Sequence, residues 1–182
     1  MNIRLKIISS PVSQLIKKRG LQELFKCTAT AFNSMVPSLL GLSYRECLKQ
    51  YALFTSREVE RSIQAGQDQQ AIKTELFKQA YHLGQKIRQR LHIRTNEEVM
   101  NAGKILYDAI GINFEGNSQG DITISRCFFS EFYSSQVCQV ISALDAGILS
   151  GLSGSGQLSF SQRITEGGDC CKARFSWQGL RA

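Results

Sequence analysis

The chain reads as an α+β protein, with a helical N-terminal part packed on a small, mainly antiparallel sheet that ends in a C-terminal β-hairpin. Two observations predict this. Up to Gly111 the apolar residues recur at helical spacing, and beyond it the period falls to two. Length adds a third: 182 residues make one domain's worth, read as a single domain over 1–182, with 1–111 helical and 112–178 sheet-bearing. Hydrophobic residues make up 42% and charged residues 20%, which excludes extensive disorder and disulfide-dense mini-proteins.

Ser10-Pro11 reads as a helix start, followed by Val12, Leu15 and Ile16 before an interruption at Gly20. A second helical segment runs from Leu21 to about Ala31, and Pro37 and Gly41 break the pattern. Ser43-x-x-Glu46 and Thr55-x-x-Glu58 both match the capping box and predict two short helices, near 44–54 and 56–65. Residues 64–70 (QAGQDQQ) form a polar loop. Ile72, Leu76, Ala80, Leu83, Ile87 and Leu91 then mark one face of a long helix. Thr95-x-x-Glu98 opens another, closed by Gly111.

Ile112 and Phe114 suggest a short strand, and Ile122 and Ile124 a second in which they alternate with Thr123, Ser125 and Cys127. Ser134 to Leu144 returns to helix. Residues 145–156, rich in Gly and Ser, read as a linker. Leu158, Phe160 and Ile164 predict a strand, residues 166–169 a turn, and Cys171, Ala173, Phe175 and Trp177 its hairpin partner, with Cys171 pointing inward.

The net charge of +7 lies entirely in residues 1–115, which hold 17 Lys and Arg against 10 Asp and Glu. No aromatic residues interleave with Lys17-Lys18-Arg19 or with Lys86, Arg88, Arg90 and Arg94, so the pattern does not point to nucleic acid. A solvated helical face is the plain reading, and a homo-oligomer or protein partner docking on that basic face is the alternative. No apolar run approaches the ~18 residues of a membrane span, and the N-terminus does not resemble a secretory leader. The expected setting is cytoplasmic, with the six cysteines reduced.

No CxxC pair exists, which excludes a ribbon- or finger-type zinc site. Cys27 and Cys47 read as small core residues. His82 and His92 have no Asp or Cys at ligand or triad spacing. Residues 151–156 (GLSGSG) lack the Lys-Ser/Thr of a phosphate loop and lead into a strand. They also miss GxSxG, because position 155 is serine. The aromatic run Phe128, Phe129, Phe132 and Tyr133 suits either core or a ligand wall.

The informative constellation is Cys127, Cys138, Asp145 and Cys171. Cys138 and Asp145 stand two helical turns apart, about 10 Å along one face. Brought together, these residues could activate a Cys thiolate, with Asp145 steering a proton or a substrate amine. Cys127, Cys138 and Cys171 could instead hold a soft metal or an iron–sulfur cluster with one position open to substrate. In the third reading the cysteines are buried hydrophobes and Asp145 is a helix-end residue.

Three segments carry a family likeness. TISRCFFSEFY, VCQVISALDAG and RITEGGDCCKARFSW resemble, in order and spacing, the L-2-amino-thiazoline-4-carboxylic acid hydrolase family, relatives of the 4-vinyl reductase and transport-particle domains. VMNAGKILYDAIG before them is similar in place and character, so the resemblance spans about residues 95–178. It implies a small-molecule hydrolase that opens a cyclic amidine or thiazoline-type ring at a C–N or C–S bond. It further implies that Cys127 is the nucleophile or soft ligand and that Asp145 orients the amidine nitrogen. Cys138 and Cys171 would line the site and Glu166 would contribute from the turn. Ser142 departs from the pattern, standing where many relatives carry a second cysteine. The related domains imply the alternative, a non-catalytic protein that binds an apolar ligand or tetrapyrrole.

Overall fold

The computed structural model describes residues 13–178, and the helix start expected at Ser10-Pro11 lies outside them. Among the described residues five α-helices pack against one face of a four-stranded antiparallel sheet, as the period change at Gly111 predicts. The helices are α1 (Ser13–Ala31), α2 (Tyr44–Gln64), α3 (Gln69–Leu91), α4 (Asn96–Ala109) and α5 (Ser135–Ser153). The strands are β1 (Ile112–Gly116), β2 (Asp121–Cys127), β3 (Gly156–Gln162) and β4 (Cys171–Trp177), in spatial order β1-β2-β4-β3. Among the described residues no helix is long and apolar enough to cross a membrane.

Helix starts follow the caps. Ser43 and Thr95 each form a complete capping box, with Glu46 and Glu98 returning a carboxylate to the cap backbone. Asp68 caps α3 through the Gln70 amide. Two expected breaks do not occur. α1 continues through Gly20, where an interior glycine costs only about 1 kcal/mol. α2 continues through Thr55, whose hydroxyl donates to the carbonyls of Tyr51 and Ala52 at 2.9 and 3.0 Å and so is satisfied inside the helix.

The main departure is α5. It does not stop at Leu144 but runs to Ser153, ending at Gly154 with φ 92°. The small residues read as linker are a helix–helix contact. A Cβ on Gly151 would lie 2.9 Å from the Gln85 amide nitrogen, and one on Gly147 would lie 2.7 Å from the Ala80 Cβ. A Cβ on Gly84, in the facing helix, would lie 3.0 Å from the Gly151 Cα. Glycine on both sides lets α3 and α5 approach at backbone distance. Ser150 donates to the Gly156 carbonyl at 2.7 Å, which ties the end of α5 to β3.

The sheet turns Phe114, Ile122, Ile124, Cys171, Ala173 and Phe175 inward, all of them buried. Ile124 pairs with Cys171 across β2 and β4, and Phe114 pairs with Ile124 across β1 and β2. Ile164 is not part of the hairpin strand. It begins a short 3-10 turn, Ile164–Glu166, that precedes β4.

Replacing Gly151 with alanine overpacks the α3–α5 contact. The expected loss is about 1–3 kcal/mol, lowering the melting temperature by about 2–4 °C per kcal/mol. Thermal unfolding followed by circular dichroism checks it, and an unchanged midpoint would contradict the close contact.

Candidate functional site

A cavity of about 90 Å³ opens between α5, the inner face of the sheet and the N-terminal helices. It is lined by Cys127, Cys138, Asp145 and Cys171, so the four residues singled out from sequence meet at one wall. Tyr51, Tyr107, Phe129 and Tyr133 supply aromatic surface, and Ser130, Ser142, Ile164 and Thr165 line its half-buried part. Cavities of roughly 150 Å³ accept benzene. This one, at about 90 Å³, is smaller than that.

Each wall residue is aimed by its element. On α5, positions 138, 141, 142, 145 and 148 form one stripe, while Gly147 and Gly151 face α3. Asp145 is thus in the middle of a helix rather than past its end. In β2, strict alternation from the inward Ile124 would point Cys127 outward with Thr123 and Ser125. A register shift beside Asn113 and Phe114 leaves Ser125 and Arg126 both exposed and turns Cys127 into the cavity. β-bulges re-aim side chains in this way. Cys171 enters as the inward residue at the start of β4, and its sulfur accepts the Ile164 amide at 3.4 Å.

Tyr51 pairs its hydroxyl with Thr28 at 3.0 Å, and Tyr133 pairs with Thr55. Both hydroxyls therefore have partners of their own. Tyr107 donates to Asp145 Oδ1 at 2.7 Å. Sequence reasoning missed Tyr107. The available signal was its place beside the buried stripe of α4, where a buried tyrosine hydroxyl needs a partner.

Desolvation dominates the electrostatics. Burial pushes the Cys127 thiol up to about 12 and raises Cys138 and Cys171, and the nearby Asp145 adds to the effect on all three. These groups are thiols at neutral pH, the opposite of an activated cysteine. Burial also raises Asp145 to about 6, tempered by the Tyr107 hydrogen bond and the charge of Arg163. Asp145 is therefore the group in this wall that changes charge near neutrality.

Two expectations do not fit the geometry. Among the described residues no three His, Cys, Asp or Glu side chains, Cys127, Cys138 and Cys171 included, form a set that could hold a single metal ion. Glu166 is exposed and does not line the cavity. Its carboxylate accepts from Gln139 Nε2 at 2.8 Å and pairs with Arg163 at 3.4 Å. All six cysteines are unpaired, with Cys27 and Cys47 buried away from the site, and both histidines are exposed.

No protein-family model matches the chain, and none of the curated proteins matches its sequence.

Two measurements follow from these charge states. Iodoacetamide at about pH 7.5 should alkylate Cys127 more than about tenfold slower than a free cysteine, as read by peptide mass mapping. Comparable rates would contradict a protonated thiol. Asp145 has a folded-state pKa above its ordinary 3.8, so its stabilising contribution is present below that value and lost as pH rises through about 6. Asp145→Asn should therefore gain melting temperature relative to the unmodified protein between pH ~4 and ~7, and a constant difference would count against the raised pKa.

Proposed function

We propose that this protein takes a compact cyclic amidine into the cavity and hydrolyses it, with Asp145 as the group that handles the proton. The observation that supports this reading is one carboxyl poised near pH 6 in an otherwise uncharged, aromatic-walled cavity. A pKa this close to neutrality suits general acid–base work. An amidine offers N–H donors to such a carboxylate, and Ser142 and Thr165 add hydroxyls to the same lining.

In the proposed step a water oxygen bonds to the amidine carbon, the C=N π pair moves onto nitrogen, and the water gives one proton to Asp145. The ring bond from that carbon to its leaving heteroatom then breaks as the π bond re-forms, and Asp145 returns the proton to the leaving atom. The product is the substrate plus one water. Cys127 is assigned to the wall rather than to nucleophilic attack, because its thiol carries almost no thiolate at neutral pH. The family likeness of residues 95–178 points to the same substrate class.

The same observation about Cys127 favours a second reading, in which the cavity holds its ligand without reacting. The lining residues include neither His nor Lys to activate a nucleophile.

The test uses 2-aminothiazoline-4-carboxylate, with binding followed by calorimetry and product by mass. The expected outcome is binding with turnover, lost about a hundredfold or more in Asp145→Asn and retained within a few-fold in Cys127→Ala. Binding without turnover selects the second reading. Absence of binding overturns both, and loss of turnover in a folded Cys127→Ala variant overturns the role given to water.

A further inference from the structure

The fold treats the two oxygens of Asp145 differently. Oδ1 accepts the Tyr107 hydroxyl at 2.7 Å. Oδ2 takes no hydrogen bond among the described residues, and Asp145 lines the cavity.

Tyr107 is itself immobilised. It is 3% exposed, and its ring stacks on the fully buried Phe114 with centroids 5.0 Å apart and planes 6° from parallel. Its phenol stays protonated, because burial and then the adjacent Asp145 raise its pKa well above the ordinary value. Tyr107 is therefore a donor, never an acceptor, toward the carboxylate.

The other groups that face Asp145 come from every neighbouring element. Cys127 ends β2, Cys138 precedes it on α5, Cys171 begins β4, Tyr51 belongs to α2, and Tyr133 precedes α5. The thiols and phenols are neutral at working pH. Arg163 supplies the positive charge felt at Asp145, and it is shared with Glu166 at 3.4 Å and stacked on the Phe160 ring at 4.6 Å. Among these groups, Tyr107 is the one that makes a directional bond to the carboxyl.

We propose that Tyr107 is a positioning residue: by occupying Oδ1 it turns the carboxyl so that Oδ2 is the oxygen presented to the ligand, and it holds that carboxyl in its accepting, ionised form. The clause about the ligand rests on the proposed function, and the coupling between Tyr107 and Asp145 does not. Because the bond favours the ionised carboxylate, losing it should raise the Asp145 midpoint by about one pH unit.

The experiment titrates the Asp145 carboxyl by ¹³C NMR in aspartate-labelled protein, with the signal assigned by its absence in Asp145→Asn. In Tyr107→Phe the midpoint should rise from about 6 by about one unit. Incorporating 3-fluorotyrosine leaves the ring in place, strengthens the donor and should move the midpoint downward, which covers the case in which Tyr107→Phe does not fold. A midpoint unmoved in a folded variant overturns the proposal, as does one unmoved by fluorotyrosine.

With 2-aminothiazoline as probe, Tyr107→Phe should weaken binding about threefold more near pH ~6.5 than near pH ~8.5, where both carboxyls are ionised and only the lost orientation remains. A deficit of the same size at both pH values overturns the claim that Tyr107 holds the carboxyl ionised. If the midpoint moves but the probe binds neither protein, the Tyr107–Asp145 coupling stands and the proposed function falls.

Discussion

Everything at the site depends on how closely α5 lies on α3. Glycines at 84, 147 and 151 remove the side chains that would hold the two helices apart, and backbone meets backbone along the seam. Interaxial distance between helices is set by the residues at the contact. Once Gly147 and Gly151 face α3, helical geometry leaves no freedom for the rest of α5. Cys138, Ser142 and Asp145 must face the sheet, and the Ser150 bond to Gly156 then delivers the chain into β3.

The sheet meets that stripe through two local devices. The register shift opposite Asn113 and Phe114 gives Cys127 an inward direction that simple alternation denies it, and the pairing of Ile124 with Cys171 places the third thiol in the same wall. The result is a small apolar enclosure into which several ionisable groups project. In such surroundings the cost of desolvation outweighs neighbouring charges. It drives every thiol toward its protonated form and lifts the carboxyl only to about 6. Cysteine count draws attention to the site, but its acid–base behaviour belongs to Asp145 and to the tyrosine bonded to it.

The elements most legible in the sequence are those with local signals. The capping boxes at Ser43 and Thr95, the apolar stripe from Ile72 to Leu91 and the alternation in β4 each carry their own physical cause within a few residues. Three misreadings share a different cause. Gly20, Thr55 and most of the run 145–156, up to Ser153, each look like an interruption, and each is absorbed by the helix it interrupts. Thr55 is satisfied by carbonyls one turn back, and Gly147 and Gly151 are matched to a helix some seventy residues earlier in the chain. A glycine that serves close packing and a glycine that serves a flexible linker are the same letter.

The sequence by itself determined the α+β class, the change of period at Gly111 and the identity of the four residues to watch, because periodicity and spacing act over short stretches of chain. The tertiary structure alone decided that Cys127, Cys138, Asp145 and Cys171 share one cavity, that their sulfurs are not a metal-binding set, and that Glu166 stands outside. It also decided the partnership of Asp145 with Tyr107, 38 residues away. Charge state, ligand geometry and bond partner depend on what surrounds an atom in space, and that is fixed only when the helices close on the sheet.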